Sequence, residues 1–419
     1  MSPAKRIGVV CTLDTKGEHA RLVKSLIEGR GHEAVLIDIG VLGDPAVAAT
    51  ISRDEVACAG GMELRNLASG RDRGKALDVM TAGVTAILIR LHRESKLDGV
   101  IGIGGGGGTA VASAAMRALP VGVPKVMVST MAGSGKAAAY VGTRDIVMVP
   151  TITDIIGMNP ILRSALTNGA AAVCGMAEMG AGAGWLREAG GRPTVAITAF
   201  GVTTPAAMRC HELLTQAGCD TLIFHANGAG GRAMEELIEQ GVIDAVLDLT
   251  TTELPDELCD GQLSAGPHRL EAAGARGLPQ VVLPGAMDMV NFTTPETVPA
   301  KYANRRFYQH SPATRLMRTT AEENATLGRW VGEKLARAKR PAVLVLPVRG
   351  FSEYDKAGGV FYDPQADSAF MDAAVAALGK QGEVVRVDAY INEPVCAETA
   401  VAQLLGMMRG SASSKSETA

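Results

Sequence analysis

The chain is poor in aromatic residues, with 7 Phe, 6 Tyr and 2 Trp among 419 residues. It also lacks an excess of positive charge: 41 basic and 44 acidic residues leave a formal net charge of −3, and no basic block stands out. Few rings to stack on bases and no cationic patch argue against a nucleic-acid binder. No apolar run approaches the roughly 18 residues of a membrane span. The apolar run Ile7 to Leu13 is stopped by Asp14 and is too short for a signal-peptide core. The 7 cysteines are odd in number, scattered and never spaced C-x-x-C. They read as reduced thiols of a cytoplasmic protein, packed as small hydrophobes. G-x-S-x-G, H-E-x-x-H and EF-hand patterns are absent, which removes several hydrolase and metal classes, and no metal ligands are assigned.

What the chain has in excess is glycine, 50 residues or about 12% against a usual ~7%, without the Gly-X-Y period of collagen. At 47% hydrophobic residues and a mean hydropathy of +0.15, wholesale disorder is excluded and the core must be aliphatic. Short aliphatic runs, each ending in Gly, Ser, Thr or Asp and leading into a helical pattern, recur along the whole chain. Examples are Arg6–Leu13, Ala34–Ile39, Gly99–Ile103 and Lys125–Ser129, then Thr194–Phe200, Thr221–His225, Ala245–Leu249, Gln280–Leu283 and Ala342–Leu346. Long helices are predicted over Gly74–Lys96, Pro160–Met179 and Met317–Lys339. The alternation predicts an α/β fold of two Rossmann-like, doubly wound domains with mostly parallel sheets. The domains are expected over 1–185 and 193–409, joined by a glycine-rich hinge-like stretch from Gly180 to Gly191, with a disordered tail over 410–419.

In open α/β sheets ligands bind at the carboxyl ends of strands, so the exit loops carry the functional signal. The strongest is Gly104-Gly105-Gly106-Gly107-Gly108-Thr109, between a buried strand and a helix N-terminus. Glycine lets backbone N–H groups approach an anion, the helix dipole favours negative charge there, and Thr109 adds a hydroxyl. The next exit loop, Ser129 to Ala137, only echoes a phosphate-binding P-loop: Thr130 stands where the pattern needs Gly, and Ala137 where it needs Ser or Thr. It still offers Thr130, Gly133 and Ser134 as a second lining. Asp14, Thr15 and Lys16 leave the first strand and suit a polar ligand, while Thr15 and Glu18 also fit a capping box.

In the second half, His225-Ala-Asn-Gly228-Ala-Gly230-Gly231-Arg232 repeats the strand, glycine turn and helix, and reads as a second anion site with Arg232 as its counter-charge. If the later strands share one sheet, His225, Glu253, Asp288, Arg349 and Ser352 converge at its edge. A histidine with a carboxylate could do general acid–base chemistry, and an arginine could hold a carboxylate substrate.

Longer motifs carry a resemblance. Gly99–Thr109, Val128-Ser-Thr-Met-Ala, Tyr140-Val-Gly-Thr-Arg-Asp-Ile-Val-Met and Asp154-Ile-Ile-Gly-Met-Asn159 are joined by Phe224-His-Ala-Asn-Gly-Ala-Gly-Gly-Arg-Ala-Met-Glu, Pro284-Gly-Ala-Met-Asp-Met-Val-Asn-Phe and Leu346-Pro-Val-Arg-Gly-Phe-Ser. To about residue 407 the chain resembles the UPF0261 family, the Tm-1-like ATP-binding proteins. The resemblance implies two Rossmann-like domains, ATP held by the N-terminal one with Mg²⁺ as its companion, and a homodimer. It implies no reaction. The chain departs from the family at Lys136, where an acidic residue is usual, which bears on how a nucleotide or metal would be held.

Three readings stay open on sequence. One is a cytoplasmic nucleotide- or phosphate-binding protein, an enzyme with its site in the cleft between domains. The second is a lyase or hydrolase acting on a small carboxylate or keto acid with residues of the C-terminal domain. The third is a non-catalytic binding or inhibitor protein.

Overall fold

The structure is a computed structural model describing residues 3–70, 72–180 and 191–416. The chain divides into two compact units, Met1–Glu188 and Ala189–Ala419. Most of the expected hinge-like stretch lies outside the described residues.

The N-terminal unit alternates strand and helix: β1 (Arg6–Cys11), α1 (Leu13–Gly29), β2 (Glu33–Asp38), α2 (Arg53–Ala59), α3 (Leu64–Ser69), α4 (Arg73–Arg93), β3 (Gly99–Gly104), α5 (Gly106–Arg117), β4 (Lys125–Ser129), α6 (Ala137–Val141), β5 (Val147–Pro150) and α7 (Pro160–Glu178). Its five strands are parallel in the order β2-β1-β3-β4-β5. The period of two along each strand separates two apolar layers. Val10, Val35, Ile37, Val100 and Met127 pack with Val56, Met80, Val84 and Met116 on one face. Ile7, Val9, Leu36, Ile101 and Val126 pack with Val23, Ile27, Leu166 and Val173 on the other. Local signals set the helix starts: Asn159 Oδ1 accepts from the Leu162 N–H at 2.9 Å with Pro160 in the first turn, and Ser52 and Glu55 form a capping box.

The C-terminal unit contains β6 (Thr194–Ala199), α8 (Thr204–Gln216), β7 (Asp220–His225), α9 (Ala229–Glu239), β8 (Ala245–Thr250), α10 (Glu253–Leu258), α11 (Ala272–Arg276), β9 (Gln280–Gly285), β10 (Met289–Phe292), β11 (Phe307–Ser311), β12 (Thr314–Arg318), α12 (Ala321–Ala336), β13 (Val343–Pro347), α13 (Pro364–Leu378), β14 (Glu383–Val387) and α14 (Pro394–Ser416). Its main sheet is parallel, ordered β14-β13-β9-β8-β6-β7. Counting only the strands of this sheet, the order from the other edge is second, first, third, fourth, fifth, sixth, the N-terminal order with one strand added.

Two expectations change. Met317 and Arg318 do not begin the helix predicted from Met317; they end β12, which pairs antiparallel with β10 and β11 in a separate three-stranded sheet. The helix starts at Ala321, where Thr320 and Glu323 form a capping box. The last helix runs to Ser416, into the segment read as a disordered tail from 410.

Candidate functional site

In the N-terminal sheet β1 lies between β2 and β3, so the chain leaves β1 to one side and returns on the other. Such a switch point opens a crevice at the carboxyl ends of the strands. The crevice is a cavity of about 600 Å³ lined by Thr12, Asp14, Thr15 and Lys16 after β1, by Ile39 to Leu42 after β2, by Gly105 to Gly108 after β3, and by a wall from α3 and α4 that includes Leu67, Arg73, Leu77 and Met80. That volume is in the range of small-molecule sites.

The first bond of α5 runs from the Thr109 N–H to Gly105 O at 2.8 Å, which leaves the N–H groups of Gly106, Gly107 and Gly108 at the helix end. None of Gly104 to Gly108 has a positive φ, so backbone conformation is not what requires glycine. Gly104 is needed for packing, since a Cβ there would lie 2.7 Å from the Gly108 carbonyl carbon. Gly106 has nothing within 4 Å of where a Cβ would stand. A Cβ on Gly105 would lie 3.7 Å from Thr130 Oγ1, and one on Gly107 would lie 3.6 Å from Arg73 Nη2. The missing side chains therefore leave room over the positive end of the helix dipole.

Two cations line the same cavity. Lys16 Nζ meets Thr15 Oγ1 at 3.5 Å, and Arg73 stands at the start of α4 beside Gly107. Among the described residues neither pairs with a carboxylate. Sequence reasoning missed Arg73; its only signal is its place after the N-cap Asp72, whose side chain accepts from the Lys75 N–H at 3.0 Å. The expected Thr15–Glu18 capping box does not form. α1 begins earlier, at Leu13, and bends at Lys16 (φ −128°, ψ 20°). Asp38 fixes this start by accepting from the N–H groups of Leu13 at 2.9 Å and Gly40 at 2.8 Å. Burial pushes the Asp38 carboxyl above its ordinary range, against the pull of those two bonds.

Other expected lining residues stand elsewhere. Thr109 is fully buried, and its hydroxyl is engaged with Gly104 O at 3.2 Å and Ser129 Oγ at 2.6 Å, so it does not face the cavity. Thr130 sits beside Gly105, but Gly133 and Ser134 lie in the next turn, outside the lining, where the Ser134 hydroxyl donates to Met131 O at 2.7 Å.

The second glycine turn is not an external anion site. The N–H groups of Gly228 and Gly231 donate to Glu253 Oε1 at 2.7 and 3.0 Å, so the chain's own carboxylate fills the turn. Glu253 Oε2 accepts from Arg269 Nε at 2.6 Å, and Arg269 reaches both Asp248 oxygens at 2.6 Å; Arg269, Asp248 and Glu253 are all at most 1% exposed. A Cβ on Gly231 would lie 2.1 Å from Glu253 Oε2, and one on Gly230 would lie 1.9 Å from His225 O, so both glycines serve packing. Arg232 turns away and donates to Ser264 O at 2.7 Å. The turn also follows the second strand of its unit, whereas Gly105–Gly108 follows the third.

The expected acid–base set is likewise dispersed among separate partners. Glu253 is locked as described. Asp288 is fully buried, accepting from the Ser352 hydroxyl at 2.8 Å, and burial raises its carboxyl although Arg318 lies close. His225 is exposed and stacks on Phe200 with ring centroids 5.3 Å apart. Arg349 is exposed and forms a two-point ion pair with Asp388, both contacts at 2.7 Å. Among the described residues no group of three or more His, Cys, Asp or Glu is placed to hold a metal ion, and no helix is long and apolar enough to cross a membrane.

Comparison with known proteins finds matches to both units. A model described as the N-terminal domain of an uncharacterised protein family, UPF0261, matches residues 5–181, and its C-terminal counterpart matches residues 192–408. A UPF0261 protein of Clostridium tetani is 45% identical over 406 residues, covering 96% of this chain and 99% of that protein. One from Rhizobium meliloti is 43% identical, covering 95% and 98%. The ToMV resistance protein Tm-1(GCR237) of Solanum lycopersicum is 41% identical over 302 residues, which is 71% of this chain and 39% of the tomato protein.

Proposed function

The chain belongs to the UPF0261 family, and from that premise and the geometry of its N-terminal unit we propose that it binds a phosphate-bearing small molecule, a nucleotide such as ATP, at the carboxyl edge of the five-stranded sheet. One observation carries the reading: the side-chain-free turn Gly105–Gly108 opens at a helix N-terminus into a 600 Å³ cavity that Lys16 and Arg73 also line. Three helix-end N–H groups and two cations line one cavity, an arrangement suited to a multiply charged anion rather than to a neutral ligand. The wall of Leu67, Leu77, Met80 and Val111 suits an apolar, flat group attached to that anion. Glu253, Asp288 and Thr109 have no part in this reading, since each is buried and engaged by the chain itself.

Calorimetric titration of the full chain with ATP, with and without Mg²⁺, tests the proposal. Gly106→Val puts a side chain into open space without backbone strain. It should leave thermal unfolding unchanged and weaken binding by more than about tenfold. Absence of heat with the unsubstituted protein, or equal affinity in Gly106→Val, would end the proposal.

A further inference from the structure

Four exposed aliphatic side chains of the N-terminal unit lie where β5 runs into α7. They are Val147, Ile152, Ile156 and Ile161, which are 41, 85, 78 and 49% exposed. β5 is the last strand of its sheet, and its outer edge pairs with no strand among the described residues. Ile152 is unusual in its backbone as well. Its φ is +63°, and the Thr153 N–H donates back to Thr151 O at 2.6 Å. This closes a γ-turn of the rare, strained kind around Ile152. A β-branched residue is an outlier at such a φ, which glycine adopts without cost. A side chain so exposed contributes little to the packing of its own unit. Strain retained at such a position points to a use for the side chain outside the fold.

The stretch that carries these side chains is pinned. Ile155 is buried and anchors it in the core beside α1 and α7. His19 Nε2, on α1, donates to Gly157 O at 2.8 Å. The Asn159 side-chain amide donates to Thr153 Oγ1 at 3.3 Å and ties the start of α7 to the turn. Side chains displayed on a pinned loop lose little freedom on binding. Charge indicates what covers them. Asp154 and Arg163 are exposed among the isoleucines, and among the described residues neither has an ion-pair partner. The Asp154 carboxylate accepts only from the Ile155 N–H, at 2.7 Å. One acid and one base within a single apolar patch make that patch complementary to itself. Under a two-fold axis, Asp154 of each copy can meet Arg163 of the partner subunit, so the pairing occurs twice. We propose that residues 147–163 form the contact between two copies of this chain. Ile152, Ile156 and Ile161 supply its apolar centre, and the two Asp154–Arg163 pairs form its rim and fix its register. None of these residues lines the cavity, so the contact does not depend on what the cavity binds.

The test is sedimentation velocity of the full chain, without added ligand, over a range of concentrations. The unsubstituted chain should pass from monomer to dimer as its concentration rises. Ile152→Gly removes the side chain and the strain together. It should weaken dimerisation by more than about tenfold. At dilutions where both chains are monomers it should melt no lower than the unsubstituted chain. Asp154→Arg and Arg163→Asp should each self-associate less well, because each leaves a rim of one sign. Mixing the two variants should restore dimers, since the two rims are then of opposite sign. A chain still monomeric at about 100 μM overturns the proposal, as its contact would be weaker than a specific interface gives. So does an Ile152→Gly chain that dimerises as well as the unsubstituted one. An Ile152→Gly chain that melts clearly lower overturns it too, since Ile152 would then serve the fold. A mixture that dimerises no better than either charge variant alone excludes the two-fold pairing, and the proposal with it.

Discussion

The Glu253 carboxylate accepts the Gly228 backbone N–H at 2.7 Å from inside the turn that ends β7. A glycine-rich strand-to-helix turn is a general anion cradle, and here the anion is covalently part of the protein. In the N-terminal unit the comparable turn faces a cavity that Lys16 and Arg73 also line. One sequence pattern thus stands in two settings, and what separates them is whether a carboxylate elsewhere in the chain reaches the turn.

Glu253 should therefore behave as a structural residue. Glu253→Ala leaves the fully buried Arg269 with Asp248 and Glu235 and strips the turn of its acceptor. Breaking a buried ion pair from one side costs about 3–5 kcal/mol. Urea unfolding should show a loss of that order, with ATP affinity unchanged in whatever folded protein remains. A loss under about 1 kcal/mol would mean that the turn does not depend on Glu253.

Gly104 and Gly106 are adjacent in type and opposite in role. Gly104→Ala should destabilise the protein by about 1–3 kcal/mol, because its Cβ meets the backbone of Gly108 and Thr109 at 2.7 to 2.8 Å. Gly106→Ala meets nothing and should be neutral in thermal unfolding. Reversal of that order in a melting experiment would contradict the packing of the turn.

Arg73 and Lys16 should act through charge. Replacing either with Met keeps most of the apolar stem and removes one cation, and should weaken ATP by about three- to thirtyfold, with a shallower dependence of affinity on salt. Unaltered affinity and salt slope in both variants would remove them from the site.

These residues also mark how far the lining of the cavity is legible in the sequence. Strand exits were legible because buried parallel strands are aliphatic runs that stop at glycine or hydroxyl residues, which located Asp14 to Lys16 and Gly105 to Gly108. Arg73 was not, because a pocket cation needs no motif and reaches its place only when α4 packs beside α5. Glu253 was misread for a related reason: a carboxylate after a strand looks the same whether it faces substrate or Arg269, sixteen residues further on. β12 was hidden because Met317 and Leu316 fit the spacing of the helix that follows, and Arg318 finds its partners, Asp355 and Asp367, only in the folded chain.

Stability should depend on pH through Asp256. This carboxyl is buried and raised to about 7 by desolvation, although Asn291 and Leu263 donate to it. Its folded-state value thus lies above the ordinary 3.8, so the folded protein holds the proton more tightly than the unfolded chain. The contribution is fully present below about pH 4 and is lost as the pH rises through about 7. Asp256→Asn cannot ionise and keeps an acceptor for the N–H groups of Leu263 and Asn291, and the Asn291 side chain, whose Oδ1 has no partner, can turn its amide to meet the new one. The difference in unfolding free energy between variant and unsubstituted protein should shift in favour of the variant between pH 4 and pH 7. A difference independent of pH across that window would show that Asp256 is ionised in the folded protein throughout it.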